Sequence, residues 1–112
     1  MTGDALYLRH IVDAIERITA YTAGGKDAFM KNTMVQDATI RNLEIIGEAA
    51  KQITPEYRGA HPDIPWPQMA GMRDVLVHGY MAVDLDIVWD VLTNRLGGLE
   101  ARLRNLLHGE GD

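Results

Sequence analysis

The 112-residue sequence contains no cysteine, and this absence excludes several classes of protein. Disulfide-stapled domains, thiolate enzymes and zinc fingers all depend on cysteine. No apolar run of about 18 residues occurs, so we expect no transmembrane helix. Residues 1–4 also lack the basic and apolar regions of a signal peptide. We therefore expect a soluble, cytoplasmic protein.

Positive charge is scarce as well. The chain has 11 lysines and arginines against 16 aspartates and glutamates, a net charge of −5. Proteins that coat nucleic acid with a broad surface are normally basic, so this balance argues against such a surface, although it leaves room for a small basic site. The length fits one domain, residues 1–112, with a single hydrophobic core.

The apolar pattern is helical throughout, and the alternation that is typical of strands is missing. Short connections between the predicted helices favour an all-α fold, an antiparallel four-helix bundle with a short extra helical segment. The predicted segments are Asp4–Thr22, Lys26–Asn32, Thr33–Ile53, a turn or two after Thr54-Pro55, Pro65–His78 and Asp84–Leu107. Thr33 and Gln36 resemble a capping box, and Gly47 allows a neighbouring element to approach closely.

The segment from Met72 to Tyr80 does not have the pattern of a structural helix. If it is helical, Arg73 falls within the apolar arc, where a charge is costly unless it is paired or lies at an interface. His78 then lies roughly 140° around the same helix. One ideal helix does not direct both side chains at one atom. Either the helix unwinds at Gly79 or a second chain completes the site.

Arginine with histidine suits the cleavage of a phosphodiester. The guanidinium group is a planar, permanent cation that binds phosphate oxygens, and imidazole transfers protons near neutral pH. A ribose 2′-hydroxyl attacks its own phosphate once a base removes its proton, so this reaction requires no metal. Structural roles stay open at this point, with Arg73 as an ion-pair partner and His78 as a helix-end residue.

Arg73, His78 and Tyr80 form an R-x4-H-x-Y pattern that resembles the signature of the HepT-like toxins, which belong to the HEPN superfamily of helical ribonucleases. The resemblance extends along nearly the whole chain. It includes Arg41–Ala50 (similar to an Asn-Leu-x-x-Ile-Gly-Glu-Ala helix), Ile64–Trp66, Met69–Arg73, Asp84-Leu85 and Trp89.

The resemblance implies a homodimer in which two R-x4-H motifs meet in one cleft at the interface. It implies a metal-independent endoribonuclease that has no cofactor, acts on RNA rather than DNA, does not bind membranes and leaves a 2′,3′-cyclic phosphate. Arg73 and His78 would be catalytic. It also implies a toxin whose antitoxin, a minimal nucleotidyltransferase (MNT), blocks it by transferring AMP to Tyr80.

Several interpretations remain open beside this one. Asp74 either orients His78, four residues further on, or is a solvated surface residue. Glu44 and Glu48 either help to bind a metal or simply face solvent. The last helix has a basic end, formed by Arg95, Arg102, Arg104 and His108. Contact with an RNA backbone and complementarity to the helix dipole explain this end equally well. The alternative function is that of a non-catalytic helical partner of an MNT, and a degenerate, inactive bundle is a third.

Overall fold

A computed structural model of the chain describes residues 3–72, 77–78 and 82–111. Helices account for almost all of this part, and the fold is all-α, as predicted. In chain order the elements are α1 (Gly3–Tyr21), α2 (Gly25–Lys31), α3 (Thr33–Gln52), α4 (Pro55–Ala60), α5 (Trp66–Ala70), β1 (Val77–His78), β2 (Ala82–Val83), α6 (Leu85–Asn94) and α7 (Leu96–Gly111).

The core lies between α1, α3 and α7, each of which contributes apolar side chains three or four residues apart. Its fully buried members include Leu8, Ile11, Ile15, Ile18, Leu43, Ile46, Leu99 and Leu103. Burial of one such side chain is worth ~1.5–3 kcal/mol. The periodicity of the sequence predicted these faces, including Thr39, Leu43, Ile46 and Ala50 in α3 and Ile53 directly after it, which are all buried.

Two polar contacts show that α1 and α3 run antiparallel. The Asp4 carboxylate, at the start of α1, accepts hydrogen bonds from the amide and hydroxyl of Thr54, just past the end of α3, both at 2.8 Å. Further along, Arg17 donates to the Oδ1 atom of Asn42 at 3.4 Å. Thr54 also caps α4 as predicted, because its hydroxyl accepts from the Tyr57 amide at 3.2 Å.

The predicted capping box at Thr33 is wrong by one residue. α2 ends at Lys31, which leaves Asn32 in the extended conformation that an N-cap residue adopts. The Oδ1 atom of Asn32 accepts a hydrogen bond from the Val35 amide at 3.1 Å. Gln36 instead donates to the Phe29 carbonyl at 2.9 Å, so it links α3 to α2.

The predicted helix from Pro65 to His78 is also wrong at its carboxyl end, while residues 73–76 lie outside the described residues. α5 ends at Ala70, and residues 77–78 are extended, in an antiparallel pair with β2 in which Val77 lies opposite Val83. β-branched valine favours strands, which is consistent with this pairing. The 140° separation between Arg73 and His78 assumed one continuous helix and therefore does not apply.

The predicted last helix is two helices, separated at Arg95, whose φ of −122° departs from helical values. The apolar stripe continues in phase across the break, with Val88, Val91, Leu96 and Leu99 all buried, so periodicity alone did not reveal it. Gly97 and Gly98 follow directly, and glycine lowers the stability of a helix interior.

Candidate functional site

The element that precedes the motif segment is α5, and it is held firmly against the bundle. Trp66 and Met69 are buried, and the indole Nε1 of Trp66 donates to the His61 carbonyl at 3.0 Å. Gly47 of α3 allows the close approach to α5 that its sequence position predicted. A β-carbon there would lie 3.3 Å from the Met69 carbonyl oxygen. The chain therefore enters the motif from a fixed position.

The element that follows the motif, α6, is anchored too. The Asp84 carboxylate caps it by accepting from the amides of Asp86 at 3.0 Å and Ile87 at 3.3 Å. The ring of Trp89 contacts the buried ring of Phe29 in α2, with centroids 5.3 Å apart. The elements on both sides of the motif segment, α5 and α6, are thus packed against the bundle.

Within this segment, the structure places the backbone of His78 in β1, opposite Ala82. Arg73, Asp74 and Tyr80 lie outside the described residues. The structure therefore describes the elements that flank the predicted site and the strand that carries the backbone of His78, and the site itself stays a prediction.

The α3 pattern Asn-Leu-x-x-Ile-Gly-Glu-Ala serves mainly to pack the bundle. Asn42 is buried, and its side-chain amide donates to the Ala38 carbonyl at 2.8 Å while its oxygen accepts from Arg17. Leu43 and Ile46 are core residues, and Gly47 contacts α5. Glu48 has no such packing role, since it is exposed and its side chain lies 3.7 Å from the Lys51 ammonium group.

A groove of about 430 Å³ runs between α1 and α3 on the outer face of the bundle. Its lining includes Tyr7, His10, Arg41, Glu44, Ile45 and Glu48. The sequence singled out the two glutamates, but it did not indicate that Tyr7, His10 and Arg41 share a groove with them. The helical spacing of Arg41, Glu44 and Glu48, three and four residues apart, was the available signal.

Comparison with known proteins assigns the chain to a family. The family model described as "Ribonuclease HepT-like" matches residues 11–106, which include the whole R-x4-H-x-Y pattern. The chain belongs to the HepT-like ribonuclease family. It is accordingly assigned to the ribonucleases, as the resemblance implied.

Individual HepT-like relatives agree with this assignment. A probable ribonuclease HepT of Thermococcus cleftensis is 40% identical over 101 residues, which cover 89% of this chain and 92% of the relative. A candidate RNase of Caldanaerobacter subterraneus subsp. tengcongensis is 36% identical over 105 residues, covering 93% and 94%. A Methanocaldococcus jannaschii protein named as a gamma-glutamylcyclotransferase and candidate RNase is 39% identical over 103 residues, 91% of this chain. Those residues span only 46% of that relative. No solved structure matches the chain.

The basic end of this HepT-like chain is largely used within the fold. Arg104 donates hydrogen bonds to Glu100 and to Glu16 of α1. Both bonds raise the pKa of the Arg104 guanidinium group, and the bond to Glu100 has the larger effect. Arg102 donates to the Asp63 carbonyl at 2.7 Å. α7 continues to Gly111, so neither arginine lies in its last turn. The helix-dipole interpretation of these arginines is therefore wrong, because the effect is confined to that turn.

The described residues also bear on the expectations about a metal site and a membrane-spanning helix. Among the residues whose placement is described, no group of three His, Asp or Glu side chains is arranged to hold a metal ion, so Glu44 and Glu48 gain no further ligand there. Within the same part of the chain, every helix is too short or too polar to cross a membrane.

Proposed function

We propose that this chain is a metal-independent endoribonuclease with Arg73 and His78 as its catalytic residues. Membership of the HepT-like ribonuclease family is the observation that carries the proposal, because the family match spans both residues. The packing of α5 and α6 on either side of the motif supports it. Catalytic groups need a rigid support to hold a reactive geometry.

The proposed reaction uses the substrate's own nucleophile. His78 removes the proton of a ribose 2′-hydroxyl, and the resulting oxygen attacks the adjacent phosphorus. The bond from phosphorus to the 5′-oxygen of the next nucleotide breaks, and that oxygen takes up a proton from a histidine acting as general acid. The products are a 2′,3′-cyclic phosphate and a 5′-hydroxyl. Arg73 stabilises the negative charge that accumulates on the phosphate oxygens.

We propose that the active form is a homodimer in which the two motifs share one cleft. A chain of net charge −5 repels RNA as a whole, so binding needs a local concentration of positive charge. A twofold axis at the motif would bring two Arg73 and two His78 side chains together, since the same patch of each subunit meets in such an interface. This arrangement concentrates positive charge where the phosphate binds.

We further propose that the protein is a cytoplasmic toxin, silenced when an MNT antitoxin transfers AMP from ATP to Tyr80. Tyr80 is two residues from His78 in the sequence. An AMP group attached there would place a phosphate anion beside the cationic cleft, where it pairs with Arg73 and excludes the substrate phosphate. Asp74 has a supporting role in this proposal: it orients His78.

Growth after expression of this chain alone tests the proposal. The wild type should arrest growth, whereas Arg73→Ala and His78→Ala should not, provided that all three accumulate to equal levels. A non-catalytic MNT-binding partner would be harmless in all three forms, and this result would overturn the proposal.

A further inference from the structure

The groove between α1 and α3 has the size and composition of a ligand site. Its volume of about 430 Å³ falls within the ~300–1,000 Å³ that small-molecule sites usually occupy. Tyr7 and Ile45 form an apolar surface, because both are half-buried and pack against the core. The His10 ring stands edge-on to the Tyr7 ring, with centroids 6.0 Å apart. An aromatic surface of this kind stacks well with a nucleobase.

The α3 wall of the groove carries charged groups that the fold leaves available. Arg41 and Glu44 have no ion pair or hydrogen bond with any other described side chain. Glu48 faces only Lys51, at 3.7 Å, and both side chains are exposed, so this pair is weak. Arg41 and Glu44 are one helical turn apart and share a face of α3. The groove lining itself carries one positive side chain, Arg41, and two negative ones, Glu44 and Glu48, while Lys51 lies beside Glu48 outside the lining.

The side chains of Arg41 and Glu44 complement the edges of guanine. Guanine presents two adjacent donors, N1–H and the 2-amino group, which match the two oxygens of one carboxylate. Its O6 and N7 atoms are adjacent acceptors, which match the donor pair of a guanidinium group. Adenine, cytosine and uracil lack two adjacent donors on one edge, so none of them satisfies a carboxylate in this way.

We propose that the groove binds one unpaired guanine of the RNA substrate. The base stacks on Tyr7, Glu44 accepts from its Watson–Crick edge and Arg41 donates to O6 and N7. This inference rests on the proposed function in one respect, that the substrate is RNA. The inference adds a preference for one base. The site that recognises this base is formed by α1 and α3, which are separate in sequence from the R-x4-H motif.

Binding of short RNAs to full-length His78→Ala protein, in which cleavage is blocked, tests the proposal. The probes are single-stranded pentanucleotides with a central guanine, inosine or adenine in an otherwise identical uridine sequence. Their binding is measured by fluorescence anisotropy. We expect the guanine probe to bind about tenfold more tightly than the other two, because inosine lacks the 2-amino donor and adenine lacks both donors. Equal affinity for the three probes would overturn the proposal.

Substitutions locate the preference. Glu44→Gln should abolish it, because an amide presents a donor where guanine needs an acceptor, and Arg41→Gln should weaken it. Glu56→Gln and Arg9→Gln are matched controls, since both residues are exposed and lie outside the groove. They should retain the tenfold preference. If Glu44→Gln also retains it, with an unchanged melting temperature, guanine is not bound by this groove.

Two further outcomes separate this inference from the proposed function. If the wild type cleaves RNA but no probe discriminates, the groove proposal fails and the ribonuclease proposal stands. If the guanine preference depends on Glu44 but the wild type does not cleave RNA, the ribonuclease proposal fails and the groove proposal stands. A change in molar mass of Arg41→Gln or Glu44→Gln by light scattering, without any change in RNA binding, would make the groove a protein interface and overturn the proposal.

Discussion

Gly47 of α3 and Met69 of α5 approach so closely that a β-carbon on Gly47 would lie 3.3 Å from the Met69 carbonyl oxygen. The contact is with backbone, which cannot rotate away as a long side chain can. It fixes the position of the short helix from which the chain enters the R-x4-H-x-Y segment. A change at Gly47, within the α3 helix, is therefore expected to affect the motif.

Gly47→Ala tests this relationship. Alanine favours the helix by up to ~1 kcal/mol, but overpacking against fixed backbone costs ~1–3 kcal/mol. We expect a net loss of about 1 kcal/mol in the free energy of unfolding, measured by urea denaturation, and a larger proportional loss of RNA cleavage. Gly98→Ala is the matched control, because a β-carbon at Gly98 meets nothing within 4 Å. It should raise stability, and equal effects of the two substitutions would refute the role of the close contact.

Trp66→Phe removes the hydrogen bond to the His61 carbonyl and leaves a cavity where the buried indole lay. We expect a loss of about 2 kcal/mol in the free energy of unfolding. Trp89→Phe makes the same chemical change at a half-buried ring whose nitrogen has no hydrogen bond to other described residues. This control should lose about 1 kcal/mol or less. A smaller loss at Trp66 than at Trp89 would contradict the proposed anchoring of α5.

Mixing two inactive variants tests whether the active site is shared between subunits. If Arg73 of one chain works with His78 of its partner, a heterodimer of Arg73→Ala and His78→Ala contains one intact site. Random exchange at equal concentrations should then restore about a quarter of wild-type cleavage. If each site uses one chain only, the mixture stays inactive. The negative control is the Arg73→Ala/His78→Ala double variant at the same total concentration, because none of its dimers contains an intact site.

Tyr80→Phe separates the toxicity of the protein from its inhibition by the MNT. The ring is retained, but the hydroxyl that would accept AMP is gone. We expect the variant to arrest growth as the wild type does, even when an active cognate MNT is expressed with it. Mass spectrometry of the wild type under the same conditions should show a single added AMP. Silencing of Tyr80→Phe by the MNT would show that the block acts elsewhere.

Much of the fold could be predicted from apolar spacing and from local capping chemistry. The buried faces of α1 and α3 follow directly from residues three and four apart, and Thr54-Pro55 starts α4 as such a pair should. The role of Gly47 was also visible, since a small residue beside an apolar stripe permits close packing. These features depend on neighbours along the chain, which the sequence displays.

The features that were missed depend on competition between elements. At Val77 and His78, pairing with β2 replaces the helix that the apolar pattern alone favoured up to His78. The break at Arg95 left that pattern undisturbed, and only the two glycines after it marked a weak point. The groove brings Tyr7 and Arg41 together from two helices that are distant in sequence, and no local pattern reports such a pairing.

The most direct test of the catalytic proposal is RNA cleavage by the purified wild type in excess EDTA, beside Arg73→Ala and His78→Ala. Mass spectrometry should first confirm that Tyr80 is unmodified, and the melting temperatures of the three proteins should agree. We predict cleavage by the wild type alone, with 2′,3′-cyclic phosphate ends. Equal cleavage by all three proteins, or loss of wild-type cleavage in EDTA that Mg²⁺ restores, would contradict a metal-independent mechanism based on Arg73 and His78.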